Sequence, residues 1–338
     1  MQRKVYRLKA GKISNLTLVT DHLDPPAATE VQVEVYAFGL NFADLFAIWG
    51  LYDATPKGEF TPGLEYSGTI VACGAEVQGF ANGDRIMGIT KFGGYASLLN
   101  IDHRYVVPIP ADWNFSEGAS FLVQVLTAYY AVVNLGNLQP QQSVLIHSGA
   151  GGVGIYANRL AKLLGAHTIG TTGSESKLEF MLAEDYDQVL VRTPDFKSDL
   201  LRLLDGRPLN VILECIGGRV LKDGFDLLAP EGRMVVYGSA HFASSGDSPH
   251  YFKLLWNYLR RPKIDPLTLP KTNRSLMGFN LIWLYEEVHK MHTILQALQN
   301  YDLGKPHIGH TFKMQDLLAA LSLFQSGETV GKVVMTTE

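Results

Sequence analysis

The chain of 338 residues is poor in cysteine, with Cys73 and Cys215 as its only thiols. Two thiols cannot build a disulfide framework or a four-cysteine zinc site, so a reducing compartment and buried, unreactive thiols are expected. Charge is also sparse: 18% of residues are charged and the net charge is −4, which gives no electrostatic case for nucleic acid. No uninterrupted apolar run is long enough to span a bilayer, and Met1-Gln2-Arg3-Lys4-Val5-Tyr6 lacks the apolar core of a signal peptide. Internal repeats and low-complexity segments are missing too. The expectation is a cytoplasmic protein of two or three domains with no integral membrane segment.

What is present centres on Ser143-Val144-Leu145-Ile146-His147-Ser148-Gly149-Ala150-Gly151-Gly152-Val153-Gly154, which reads as an apolar strand, a glycine turn and a helix start. Gly149, Gly151 and Gly154 have the G-x-G-x-x-G spacing of a dinucleotide site, where free N–H groups of the helix start face the pyrophosphate. Strands and helices alternate after it, through His167–Thr172, Gln188–Val191, Asn210–Glu214 and Gly232–Gly238. That alternation predicts an α/β fold with a doubly wound parallel sheet. Ligand then belongs at the carboxyl ends, where Gly149, Thr172, Glu214-Cys215-Ile216-Gly217 and Gly238-Ser239 fall.

Before it, residues up to about Pro110 are β-rich. Val31 to Phe38 alternates with strand period, and glycine and proline punctuation suggests a compact barrel. Phe121 to Tyr130 predicts a buried helix between the two domains. The end, Gly331-Lys332-Val333-Val334-Met335, reads as a strand that returns to complete the barrel. A helix is expected over about Leu281–Asn300.

At the end of the second strand of the sheet, where an NAD enzyme places an acid, the chain has Thr172 followed by Gly173-Ser174 and Lys177. An acid would repel a 2′-phosphate, whereas Thr172, Ser174 and Lys177 can bind it, which predicts NADPH. The alternative is that Lys177 is a solvated helix charge. In Tyr251 to Leu259, the side chains of Phe252, Leu255, Trp256 and Leu259 form one apolar stripe, followed by Arg260-Arg261-Pro262-Lys263. A membrane anchor, a lid and a dimer contact all fit; two turns bind membrane only marginally, so a hidden stripe is the expectation.

With Gly39-Leu40-Asn41-Phe42-Ala43-Asp44, Pro62-Gly63-Leu64-Glu65, Gln124-Val125-Leu126-Thr127, the glycine turn and the Gly331-Lys332 ending in this order, the chain resembles the zinc-free quinone oxidoreductases of the medium-chain dehydrogenase/reductase superfamily. Gly278-Phe279-Asn280-Leu281 and Lys305-Pro306-His307-Ile308 are most similar to its VAT-1 branch. The resemblance implies a GroES-like β-barrel catalytic domain (1–122 and 286–338) around a Rossmann domain (123–285), NADPH as hydride donor, and a homodimer built through the Rossmann sheets. Zinc-dependent relatives carry cysteine at Asn41 and histidine at Leu64, so the resemblance implies no metal. His147, alone beside the turn, is expected to be structural or solvent-facing.

Without a Lewis acid, quinones and α,β-unsaturated ketones remain reducible because they delocalise the charge that hydride delivers. The resemblance places Asn41, Asp44 and Tyr52 at the catalytic centre, with Gln124 and Thr127 near the nicotinamide. It extends the cofactor contacts to Gly152, Val153, Arg192, Ile216, Gly238, Ser239, Phe279 and Asn280. A tyrosine often seen in the family is Phe46 here, which leaves Tyr52 or water to deliver the proton. Other readings stand beside these: Asn41 as a helix cap, Glu65 as a loop brace, Tyr52 as turn packing. Expected function is an NADPH-dependent quinone or enone reductase, with enoyl-thioester reductases a close variant. The rival is a membrane-associated or carrier protein that binds NADPH with little turnover.

Overall fold

The computed structural model describes all 338 residues. The first part comprises β1 (Gln2–Lys9), β2 (Thr17–His22), β3 (Glu30–Gly39), α1 (Phe42–Trp49), β4 (Glu59–Phe60), β5 (Glu65–Cys73), β6 (Arg85–Ile89), β7 (Leu98–Asp102) and β8 (Val106–Pro108). Val31, Val33 and Val35 of β3 are buried in the core while Glu34 between them is exposed, as the alternation predicts. The helices α2 (Phe115–Gly118) and α3 (Leu122–Tyr129) follow, and α3 runs on into a π turn at Tyr130–Leu135.

Next comes the parallel sheet: β9 (Ser143–Ile146), α4 (Gly152–Leu163), β10 (His167–Thr172), α5 (Leu178–Ala183), β11 (Gln188–Val191), α6 (Phe196–Leu204), β12 (Leu209–Glu214), α7 (Gly218–Leu227), β13 (Leu228–Val236), α8 (Tyr251–Leu259), α9 (Leu269–Thr272) and β14 (Ser275–Gly278). Its order is β11-β10-β9-β12-β13-β14, every pairing parallel. Strand order reverses between β9 and β12, so the crevice for ligand opens beyond their carboxyl ends. All four residues of β9 are buried, as a strand covered by helices on both faces must be.

The chain then returns through α10 (Val288–Leu298), β15 (Ile308–Lys313), α11 (Leu317–Ser326) and β16 (Lys332–Thr336). As the strand-like ending predicts, β16 completes the barrel, pairing with β15 and antiparallel to β3 in a seven-stranded sheet of order β15-β16-β3-β5-β6-β8, with β7 also on β3. A smaller sheet, β2-β1-β4, packs beside it. One hydrophobic cluster of 55 residues joins barrel, α3 and the β9 face of the parallel sheet, which makes the two units one packed body. The stretch Phe115–Leu135 has the length and hydropathy of a bilayer span, yet most of it is buried, and α3 packs on α4 between the sheets.

Three expectations are corrected. The single helix over Leu281–Asn300 is a 3-10 turn at Leu281–Leu284 followed by α10. The break falls where Tyr285 turns to stack on Tyr105, centroids 4.1 Å apart. Both cysteines are only half-buried, although burial raises both thiol pKa values and so disfavours the reactive thiolate. The stripe on α8 is not hidden by its own chain: Phe252 is 92% exposed, and Leu255, Trp256 and Leu259 are each more than half exposed. The helix docks instead through half-buried Leu254 and Asn257, whose amide donates to the His241 carbonyl at 2.9 Å. Phe252→Ala should therefore change stability by no more than about 0.5 kcal/mol in urea unfolding of the monomer. A loss of several kcal/mol would contradict this exposure.

Candidate active site

The glycine turn leaves β9 with Ser148 at φ +54°, and Gly149 N–H donates to the Thr171 carbonyl of β10. A Cβ on Gly154 would stand 2.5 Å from the Ser148 carbonyl, so only glycine lets α4 start this close to the strand. One on Gly149 would meet Met181 Cε at 2.5 Å. Above the turn lies a cleft of about 1020 Å³ between barrel and parallel sheet. Every residue named for the site from sequence lines this cleft except Asp44 and Gly149, which stand behind its wall. Gly331 N–H donates to the Ala150 carbonyl at 2.7 Å, tying the returning chain to the turn.

At the far end, Thr172, Gly173 and Ser174 carry no carboxylate, and two cations face the cleft. Lys177 is buried rather than solvated, its ammonium donating to the carbonyls of Gly327 and Thr329, the latter at 2.7 Å. Burial, and then the neighbouring Arg192, lower its pKa. Carbonyls do not neutralise charge and the two cations outnumber the single nearby carboxylate, Glu328, so this end stays electropositive and fits a 2′-phosphate. Arg192 is anchored through Nη1 to Thr171 Oγ1 at 2.9 Å.

That anchor begins a buried polar relay which crosses the sheet beneath the turn. Thr171 Oγ1 lies 2.7 Å from His147 Nδ1, and His147 Nε2 lies 3.3 Å from Glu214 Oε2. Glu214 Oε1 accepts from the N–H groups of Ile216 and Gly217, the latter at 2.7 Å. Burial first, then Arg192, pushes the His147 pKa down to about 3, so the ring is neutral. The expectation of a structural histidine matches this wholly buried place. With Thr171 donating to Nδ1, the proton sits on Nε2, which faces Glu214 Oε2 without a hydrogen bond; Thr171 holds Arg192, and Glu214 separately holds the loop at Ile216.

The nicotinamide end is built differently. Lys332 Nζ donates to Asn41 Oδ1 at 2.8 Å and to Glu65 Oε1. Glu65 Oε1 also accepts from Asn41 Nδ2 at 3.0 Å and Gln124 Nε2 at 2.7 Å. Asn41 is the N-cap residue of α1 by position, but its amide faces this cluster; Asp44, three residues on, accepts from Asn41 N–H at 2.8 Å and from Tyr95 Oη at 2.9 Å. Asn41 therefore has no amide N–H left for an oxyanion, and Glu65 is a central acceptor rather than a loop brace. Thr127 donates to the Val123 carbonyl at 2.6 Å, an internal helix bond. Tyr52 donates to Asn280 Oδ1 at 2.7 Å, joining barrel to parallel sheet across the cleft. In the sequence Lys332 stands only within the terminal strand motif, and nothing local marks its role.

This donor set does not fit a zinc ion. Leu64 offers no ligand atom, the Asn41 oxygen already accepts an ammonium, and no three His, Cys, Asp or Glu side chains converge anywhere in the fold. A dinucleotide cradle at the switch point of a parallel sheet, closed by a barrel whose polar centre holds an ammonium, defines a medium-chain nucleotide-dependent oxidoreductase. Residues 27–111 match the alcohol dehydrogenase GroES-like domain and residues 152–296 the zinc-binding dehydrogenase family. The chain is 32% identical to the human synaptic vesicle membrane protein VAT-1 homolog, over 92% of this chain and 79% of that protein. It is 33% identical to the zebrafish (Danio rerio) homolog over 91% of this chain, spanning 64% of that longer protein. Among solved structures, the CurK enoyl reductase superposes with a TM-score of 0.85 at 28% identity, covering 99% of both chains. Escherichia coli quinone oxidoreductase, complexed with NADPH, superposes at 0.84 and 26% identity over 99% of both. The chain belongs to the medium-chain dehydrogenase/reductase superfamily and, within it, to the VAT-1 homologue branch.

Asp44 supplies a pH test. Burial pushes its pKa from 3.8 up to about 7, outweighing the hydrogen bonds from Asn41 and Tyr95, and its Oδ1 has no partner. A carboxyl whose folded pKa is raised binds its proton more tightly when folded. Its contribution is full below about pH 4 and is lost as pH rises towards 7. Asp44→Asn should remove that fall, so the variant gains on the parent between about pH 4 and about pH 7 in thermal unfolding; a parallel pH profile for both proteins would contradict it.

Proposed function

We propose that the protein is an NADPH-dependent reductase of quinones or α,β-unsaturated carbonyls that works without zinc. The observation that carries this reading is one continuous cleft, with no carboxylate on the turn after β10, two cations there against the single Glu328, and a polar cluster with a phenol at the other end. When bound, NADPH supplies a hydride, two electrons and one proton, to the acceptor carbon. Gly152 and Val153 at the start of α4 present free N–H groups to the pyrophosphate, while Arg192 and Lys177 meet the 2′-phosphate. Tyr52 lines the cleft with its pKa raised to about 12, chiefly by burial, so at neutral pH it holds its proton and acts as donor, not base, once it exchanges its bond to Asn280 for the substrate. Wall residues Leu40, Leu64, Ile89 and Phe279 give the acceptor an apolar seat. The NADPH named for the quinone oxidoreductase structure and the enoyl reductase chemistry named for CurK support the reading.

A second reading has its own observation. The exposed stripe on α8 carries Arg260 over Trp256 at 4.0 Å and Arg261 over Tyr258 at 3.8 Å, a cationic aromatic face suited to a membrane surface or to a partner. A homodimer through the parallel sheets would use β14, an edge strand with Leu276 exposed.

NADPH should bind more than tenfold tighter than NADH, and Arg192→Ala should narrow the gap at least as much as Lys177→Ala, because Lys177 is partly committed to carbonyls. Equal affinities in fluorescence titration would refute the phosphate site. In stopped-flow NADPH oxidation against quinones, enones and enoyl thioesters, Tyr52→Phe should lower kcat by about tenfold, at the mild end for a proton donor that water can replace. No oxidation with any acceptor, alongside sedimentation with anionic liposomes, would favour the second reading.

A further inference from the structure

We propose that the Lys332 ammonium holds the oxygen of the substrate and stabilises the negative charge that develops on it, the part a metal ion plays in zinc-dependent relatives. This rests on the reductase reading. An ammonium has three N–H donors; Asn41 Oδ1 and Glu65 Oε1 take two, and the third has no acceptor in the protein. Lys332 is 4% exposed and lines the cleft at the nicotinamide end. The neighbouring candidates are spent. Asn41 Nδ2 donates to Glu65 and, at 3.4 Å, to the Gly39 carbonyl. Gln124 Nε2 donates to Glu65 and, at 3.2 Å, to Asn41 Oδ1. The Thr127 hydroxyl donates within its helix. Of this cluster only Lys332 keeps an N–H for a ligand.

Glu65 makes the arrangement tenable before substrate arrives. Its carboxylate compensates the ammonium, and Asn41, Gln124 and the Val123 N–H satisfy its remaining capacity. Charge appears when hydride reaches the β-carbon of an enone: the C=C electron pair becomes a new C=C bond to the carbonyl carbon, and the carbonyl pair moves to oxygen. Lys332 donates a hydrogen bond to that oxygen and keeps its proton. The α-carbon then takes a proton from Tyr52 or water, leaving the saturated ketone and oxidised cofactor. For a quinone the same oxygen becomes the hydroquinone monoanion.

The probe is 4-nitrophenol, with 4-nitroanisole as its uncharged counterpart, titrated into protein loaded with NADP⁺. The wild type should bind the phenolate at least tenfold tighter than the anisole and lower the bound phenol's pKa, read from its visible absorbance. The double variant Lys332→Met/Glu65→Gln leaves no unpaired buried charge, and unchanged NADP⁺ affinity reports its folding. It should lose the phenolate preference and the pKa shift while binding anisole as before, and lose about a hundredfold in kcat, the usual cost of an oxyanion donor. A wild type with no phenolate preference, or a double variant that retains it, overturns the role of Lys332. Failure of the wild type to oxidise NADPH with any acceptor overturns the reductase reading instead, and the phenolate titration still reports on Lys332.

Discussion

The buried pair Glu65–Lys332 is the constraint on which the rest depends. Glu65 opens β5 and Lys332 opens β16, while Asn41 follows β3 and Gln124 sits on α3, so four separate elements converge on one charge-neutral cluster. Ions this deep are tolerable only when both partners and their remaining hydrogen-bonding capacity are satisfied; removing one partner of such a pair costs about 3–5 kcal/mol. The surroundings show how little slack there is. A Cβ on Gly39 would stand 2.3 Å from the Ala119 carbonyl and 2.6 Å from Lys332 Cε. One residue before Lys332, Gly331 bonds the Ala150 carbonyl, so the element that completes the barrel also sets the height of the glycine turn.

The two ends of the cleft handle charge in opposite ways. Beside β10, Arg192 and Lys177 are held by a hydroxyl and by carbonyls, which orient a cation without cancelling it. That end suits a permanently charged phosphate. At the nicotinamide end the ammonium is matched by a carboxylate, and its surplus is one directed N–H in an apolar wall. Such a site suits charge that exists only transiently. Between them, Thr171 fixes Arg192 and Glu214 fixes the loop at Ile216, with the neutral His147 ring packed between the two.

Much was legible in the sequence because it is local. The glycine spacing, the apolar β9, the alternation of strand and helix and the missing acid after Thr172 each lie within a few residues of one another, where period and backbone sterics act. They place the crevice at the carboxyl ends of β9 and β12, and the terminal strand motif correctly predicts closure of the barrel. Side-chain duties were less legible. The resemblance sets Asn41 and Asp44 at the catalytic centre, yet the cluster claims the Asn41 amide, the Asp44 carboxylate closes the start of α1 from behind the wall, and Lys177 turns inward to carbonyls 150 residues away.

The sequence by itself determined the strand and helix periods, the phosphate turn and the kind of cofactor charge the sheet can meet, since these follow from neighbouring residues. Only the tertiary structure decided which polar groups are spent and which remain free. Lys332 reaches Asn41 across 291 positions because β16 pairs with β3, and α8 turns its apolar stripe outward because Asn257 finds the His241 carbonyl. A buried donor is defined by its acceptors, and those are chosen by packing rather than by spacing along the chain.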